Sequence, residues 1–289
     1  MIKMARIIYG SEVSLEIKEE LKNEIDKLVQ AGKRLPHLAV VLVGEDPASI
    51  SYVRGKEKAC NQIGMKSSVI KLTDQVEEKE MINLIQQLNE DDSVDGILVQ
   101  LPLPKKLNSR RVLNKIDPSK DVDGLHPINV AKLAMKEDGF VPCTPQGVME
   151  LLKRANVSLS GKRVAMLGRS ELVGSPLFKL LLNADATVTA CHSKTKDLDK
   201  ICKESDVVIA AVGKARMVKK EWIKEGAVVI DVGVNRNEEG KLVGDVDFEE
   251  VKEIASVITP VPKGVGPMTI AMLLKNTLKS YKLRERQDA

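Results

Sequence analysis

Residues 163–176 read RVAMLGRSELVGSP. Arg163 opens a short apolar run that ends at Leu167, with the length and composition of a buried strand. Gly168 then supplies a turn, and Gly174, Ser175 and Pro176 open a helix, proline being suited to a first helical turn because it has no amide to leave unpaired. Strand, glycine turn and helix N-terminus form the arrangement in which backbone amides and the helix dipole receive a pyrophosphate. Ser170 stands where the second glycine of a G-x-G-x-x-G motif would be, so an ordinary strand-to-helix turn accounts for this loop equally well. Downstream, apolar runs at Thr187–Cys191, Val207–Val212 and Val228–Val232, with helical segments between them, repeat the rhythm of a doubly wound nucleotide-binding domain.

Upstream the same alternation of helical periods and short apolar runs continues, which predicts an α/β fold with mainly parallel sheets. Val13, Ile17, Leu21, Ile25 and Leu28 recur at helical spacing, and Gly32 closes that helix. A strand follows at Leu38–Val43. Asp46 caps and Pro47 begins a helix from about Ala48 to Ile63. Further strands are expected at Ser68–Leu72 and Gly96–Leu101, around a helix near Glu78–Leu88. Thr144 and Pro145, in VPCTPQG, start another helix and mark the domain boundary. Residues 1–145 are expected as a first catalytic domain and 146–267 as a Rossmann-like second, with the last helix, from Met268 to about residues 284–286, packing back on the first.

At 289 residues the chain has room for two ordinary domains. Apolar residues at 43% and charged residues at 30% describe a globular protein with a sizeable core. The net charge of +4 is spread without blocks, and aromatics make up only 2%, so neither an anionic membrane nor nucleic acid is an expected partner. No apolar run approaches the roughly 20 residues that span a bilayer, and MIKMARIIYG is too short to be a signal peptide, so a cytoplasmic location is expected. Cys60, Cys143, Cys191 and Cys202 form no C-x-x-C pair, and His37, His126 and His192 are scattered; the cysteines are read as reduced and structural, and no metal site is expected.

An NAD-selective fold places an acid roughly 20 residues after the glycine turn, on the ribose hydroxyls. Here the strand Thr187–Cys191 runs into His192-Ser193-Lys194-Thr195-Lys196, which contains no acid. A small hydroxyl and cations, with Arg169 nearby, suit a ribose bearing a 2′-phosphate, so NADP is expected over NAD. Taken singly, Lys194 and Lys196 also fit the start of a solvated loop. Asp231-Val232-Gly233-Val234-Asn235, at a later strand end, is placed to close over the nicotinamide side.

In the first domain Ser49, Tyr52 and Lys56 share one helix face. A tyrosine one turn from a lysine offers a ring to a flat ligand, while the lysine acts as acid or base if burial lowers its pKa towards roughly 7 or 8. A helix lysine is otherwise a solvated surface charge. Gln100 shifts that balance. It sits in the apolar strand GILVQLPLP, where a buried amide needs a partner that either a ligand or Lys56 can supply. Asp121 and Asp123, in KDVDG, offer two carboxylates, one of which can grip a donor-rich heterocycle; an Asx turn before Gly124 is the structural alternative.

Seven collinear segments, from Tyr52-Val53-Arg54-Gly55-Lys56-Glu57-Lys58 through VQLPLP (99–104), KDVDG (120–124), PCTP (142–145), GRS (168–170) and DVG (231–233) to TPVP and GVGPMT (259–262 and 264–269), resemble the methylenetetrahydrofolate dehydrogenase/cyclohydrolase family. The resemblance implies two α/β domains with a shared cleft between them, NADP-dependent oxidation of methylenetetrahydrofolate, hydrolysis of the methenyl product to 10-formyltetrahydrofolate, and a homodimer formed through the nucleotide domain. It further implies Lys56 as the acid/base group, Tyr52 orienting the folate, Gln100 tuning Lys56, and Asp123 on the pterin amino edge. Val99, Leu101, Pro262 and Gly266 would border the folate, and Gly168, Arg169, Ser170, Ser193 and Val234 would hold NADP. A member with dehydrogenase activity alone is the competing reading.

Lys263 departs from the family pattern, which has glycine in that loop, and Leu125, Ala131 and Lys132 also differ after KDVDG. Lys263 either points to solvent or adds a cation for the folate's glutamate tail. Gly55 costs its helix about 1 kcal/mol relative to alanine.

Overall fold

A computed structural model describes residues 5–287. In chain order the elements are β1 (Arg6–Ile7), α1 (Gly10–Gln30), β2 (His37–Val43), α2 (Pro47–Gln62), β3 (Lys66–Leu72), α3 (Glu78–Glu90), β4 (Gly96–Val99), α4 (Ser109–Leu113) and α5 (Pro127–Met135). They continue with α6 (Cys143–Arg154), β5 (Arg163–Leu167), α7 (Gly174–Asn183), β6 (Thr187–Cys191), α8 (Leu198–Lys203), β7 (Val207–Ala210), β8 (Val228–Asp231), β9 (Asn235–Arg236), β10 (Leu242–Val243), α9 (Phe248–Val251), β11 (Val257–Ile258) and α10 (Val265–Gln287). The chain splits into two compact units, one comprising Glu16–Val141 and the residues from Ile270 onward, the other the residues up to Leu15 with Pro142–Thr269.

The first unit is built on a three-stranded parallel sheet in the order β3-β2-β4. All seven residues of β2 are buried, which is why this strand reads as an unbroken apolar run rather than an alternation. Its core joins Val41, Met81, Ile85, Ile97 and Ile116. α2 starts where Asp46 accepts a hydrogen bond from the Ser49 amide at 2.8 Å with Pro47 in the first turn. The later part of α10 also belongs here: Met272, Leu273, Leu274, Leu278 and Tyr281 are buried. Asn276 donates to the carbonyls of Val122 (2.8 Å) and Val141 (3.2 Å), and Ser280 to those of Asp95 (2.6 Å) and Ser119 (2.7 Å), so polar side chains on the helix satisfy main-chain carbonyls around β4 and the loops that follow it.

The second unit holds a six-stranded parallel sheet in the order β1-β11-β8-β7-β5-β6. Its core gathers Ala165, Leu167, Val208, Ala210, Val229 and Ile258. The chain leaves β5 for β6 on one side and returns to β7 on the other, so the order reverses between β5 and β7, and the C-terminal ends of those strands flank a crevice. β1 pairs with β11 through Arg6 opposite Val257 and Ile7 opposite Ile258. By contacts residues 5–15 group with the nucleotide-type unit, whereas the sequence reading starts the first domain there; a two-residue strand is too short to carry a periodicity. Three strands also stop earlier than their apolar runs. β4 ends at Val99, β7 at Ala210 and β8 at Asp231. After β7 the Val212 amide turns to the Asp245 carboxylate at 2.6 Å instead of to a neighbouring strand.

Candidate active site

On α2, Ser49 is buried beside the cap, while Tyr52, one turn on, is 56% exposed and Lys56 is half-buried. Just past the end of β4, Gln100 continues the ladder with a 2.9 Å bond from its amide to the Val41 carbonyl. Its side chain is held at both ends. Nε2 donates to the Leu101 carbonyl at 2.6 Å, and Oε1 accepts from Lys56 Nζ at 2.8 Å. A lysine ammonium only donates, so this orientation of the Gln100 amide is the one that pairs both groups. The helix face and the strand end therefore meet at Lys56 and Gln100. Val99 sits in the core, which leaves only its main chain for a ligand, and Leu101 packs against the same core.

The KDVDG loop divides its charges among different tasks. Lys120 is fully buried and donates to the carbonyls of Leu88 (3.0 Å), Asn89 (2.7 Å) and Asp91 (2.8 Å), closing the C-terminus of α3; burial lowers its pKa. Asp121 is also buried and accepts from the amides of Leu125 (3.2 Å) and His126 (2.8 Å) and from Asn129 Nδ2 (2.8 Å). Desolvation pushes its pKa up to about 6 despite those bonds. Asp121 is thus committed to the loop, and the half-buried Asp123 is the carboxylate of the pair with access to a ligand.

In the second unit Gly168 has φ +110°, and a Cβ there would lie 2.1 Å from the Ala211 carbonyl oxygen; at Gly174 it would lie 2.3 Å from the Gly168 oxygen. Only glycine permits this crossing of turn and helix. Ser170, in place of the second glycine, turns inward: its Oγ accepts from the amides of Val173 (3.3 Å) and Gly174 (3.4 Å), and its carbonyl from Ser175 at 2.9 Å. The first amides of α7 therefore have internal acceptors, two of them long, and the helix offers an anion its dipole more than free donors. Arg169, Ser170, Ser193 and Lys194 are exposed, and Val234 is 55% exposed, at the C-terminal ends of β5, β6 and β8. No acid occurs between the end of β6 and Asp197. A turn closed by two glycines, with a cation and hydroxyls at adjoining strand ends, fits a phosphorylated dinucleotide.

Beyond β8, the Asp231 carboxylate accepts from the amides of Gly233 (3.0 Å), Asp245 (3.0 Å) and Val246 (2.9 Å), and burial raises its pKa to about 7. Asp245, fully buried, was not among the residues expected at the site, because nothing in the sequence signals that residues 212–214, 235 and 245 converge. Pro262 and Gly266 are exposed and lie in this same unit. Between them Lys263 is exposed at φ +78°, a left-handed conformation that glycine adopts without cost, and its carbonyl accepts from the Ser11 amide at 3.1 Å. All four cysteines are buried free thiols.

Residues 8–123 match the family model described as tetrahydrofolate dehydrogenase/cyclohydrolase, catalytic domain, and residues 142–285 match the NAD(P)-binding domain of the same description. The bifunctional protein FolD of Bacillus cytotoxicus is 54% identical over 279 residues, 96% of this chain and 97% of that protein. The crystal structure of the bifunctional enzyme FolD, methylenetetrahydrofolate dehydrogenase/cyclohydrolase, from Campylobacter jejuni superimposes with a TM-score of 0.95 at 51% identity, covering 97% of this chain and 99% of that one. The Trypanosoma brucei dehydrogenase-cyclohydrolase, solved with NADP cofactor and inhibitor, gives a TM-score of 0.94 at 41% identity over 98% and 99% of the two chains. By the match of both domain models and by these relatives, the chain belongs to the tetrahydrofolate dehydrogenase/cyclohydrolase family.

Proposed function

We propose that this chain oxidises 5,10-methylenetetrahydrofolate to 5,10-methenyltetrahydrofolate with NADP and then hydrolyses the methenyl compound to 10-formyltetrahydrofolate. The observation that carries this is the 2.8 Å hydrogen bond from Lys56 Nζ to Gln100 Oε1, which fixes an acid/base group on the same helix as the exposed Tyr52, one turn away. Two-step activity is favoured over dehydrogenase activity alone because the relatives covering nearly the whole chain are bifunctional.

Bound in its oxidised form, NADP would supply the acceptor for the hydride of the one-carbon methylene. Arg169 and Ser193 bind and orient it, with Gly168, Ser170 and Val234 shaping the surfaces around it. In the hydrolytic step water adds to the methenyl carbon, one ring C–N bond opens and a proton is released. Lys56 moves the protons of that step, Gln100 fixes the Nζ by accepting its hydrogen bond, Tyr52 supports the flat ring system, and Asp123 takes the amino edge of the pterin. Val99 and Leu101 contribute main chain, and Pro262 and Gly266 border the folate. The two domains run over residues 1–145 with the last helix and 146–267, apart from the β1 segment.

The chain acts as a homodimer through the nucleotide unit, a reading supported by the outer edge of β6, which has no strand beside it among the described residues and where Thr187, Thr189 and Ala190 are exposed. A cytoplasmic location is supported by its four free thiols. Among the described residues no helix is long and apolar enough to cross a membrane.

Lys56→Met tests the assignment. The expected result is a loss of cyclohydrolase activity of about a hundredfold or more, with dinucleotide binding retained. An unaffected cyclohydrolase would overturn the role of Lys56.

A further inference from the structure

We propose that Asp245 is the positioning residue for the dinucleotide, holding the loops after β7 and β8 in the shape that receives the nicotinamide half of NADP. The inference rests on the dehydrogenase reading above and concerns that step alone. The sheet order reverses between β5 and β7, so residues 212–214 form one wall of the crevice in which a doubly wound fold binds its ligand. Those residues are not held by a neighbouring strand.

They are held by one carboxylate. Asp245 Oδ2 accepts from the amides of Val212 at 2.6 Å and Gly213 at 3.0 Å, and Oδ1 from the Lys214 amide at 2.8 Å and from Asn235 Nδ2 at 2.9 Å. Three successive amides pointing at one anion, with Gly213 at φ +65°, make a nest of the kind that elsewhere binds phosphate. Here the protein fills the nest itself, which removes it from competition for the ligand's phosphates. The bond to Asn235 extends the clamp to the segment after β8. Within that segment a Cβ on Gly233 would fall 2.2 Å from Asp245 Cγ, so the main chain lies directly against the carboxyl. Val234, between Gly233 and Asn235, is thereby fixed with its apolar side chain 55% exposed. An apolar side chain pinned in the open by its two neighbours is suited to lie against a flat ring.

The geometry separates positioning from general support. Asp245→Asn keeps the side-chain shape but sets an amino group against two of the four donors. Kinetics with varied NADP should show KM raised by about tenfold or more. Hydrolysis of methenyltetrahydrofolate, assayed without dinucleotide, should stay within about twofold of the unmutated protein. Asn235→Ala removes a single donor and should raise KM for NADP by about threefold without loss of fold. Unchanged KM in either folded variant overturns the proposal, as does a parallel loss of both activities. Should Asp245→Asn not fold, Asn235→Ala decides alone. If the unmutated protein neither reduces NADP nor hydrolyses methenyltetrahydrofolate, the functional reading fails instead, and fluorescence titration with NADP still tests the loop assignment.

Discussion

Gln100 uses both ends of its amide, one on Leu101 and one on Lys56, and this defines what a substitution there removes. Gln100→Met keeps the length and volume of the side chain but gives Lys56 no oxygen to donate to. Cyclohydrolase activity should fall about tenfold or more while KM for NADP holds, since the change is confined to the first unit; steady-state assays of both steps would show it, and an unchanged hydrolysis rate would mean that Lys56 is oriented by something else. The sequence marked the need, because an amide in an apolar strand demands a partner, and left that partner open between a ligand and Lys56; the structure places Lys56 there. The division of labour within KDVDG was less so. Asp121 and Asp123 look alike in one dimension, and only the amides of Leu125 and His126 curling back onto Asp121 distinguish them. Lys263 presents a related case: the sequence marks it as unusual, and the left-handed backbone explains the oddity as a lysine placed where a glycine fits without strain.

Among the elements, α2 carries the chemistry and also a weakness. Gly55 precedes Lys56, and a Cβ built on it would meet the Cδ1 of Ile270 at 3.7 Å, ordinary van der Waals contact, with φ outside the left-handed region. Gly55→Ala should therefore stabilise the protein by about 1 kcal/mol, from helix propensity, and raise Tm by about 2–4 °C. Calorimetry would settle this, and a lowered Tm would show that the helix needs its glycine for a reason other than space. Long elements were the readable ones: β2, β5 and α2 have runs or caps that a pattern can detect. β1, β9, β10 and β11 have two residues each and were not anticipated as strands, because two residues cannot establish a period and their pairing depends on chain from elsewhere.

At the scale of the molecule each unit buries one carboxyl whose pKa is raised, Asp121 to about 6 and Asp231 to about 7, from an ordinary 3.8. The folded chain holds a proton that the unfolded chain has released, so the stabilising contribution is complete below about pH 3.8 and is lost as pH climbs through the folded value. For Asp121 a shift of about two units corresponds to about 3 kcal/mol. Asparagine does not titrate. Urea unfolding should then show the stability of the unmutated protein, relative to Asp121→Asn, declining by up to about 3 kcal/mol between about pH 4 and about pH 7.5. A gap independent of pH would mean that Asp121 is already ionised throughout. This behaviour was not readable from the sequence, since burial of one aspartate out of two is a property of the loop's three-dimensional course.

Of the described elements β1 is made first and finds its strand partner among them, β11, some 250 residues later, while the first unit waits for the buried face of α10, the last of them. Neither half is contiguous along the chain. A ribosome therefore completes neither unit before β11 and α10 have been made, and a nascent chain halted at residue 250 would display an open sheet edge in one half and an uncovered core in the other. Vectorial synthesis gives neither half a head start over the other, and the two reach completion close together.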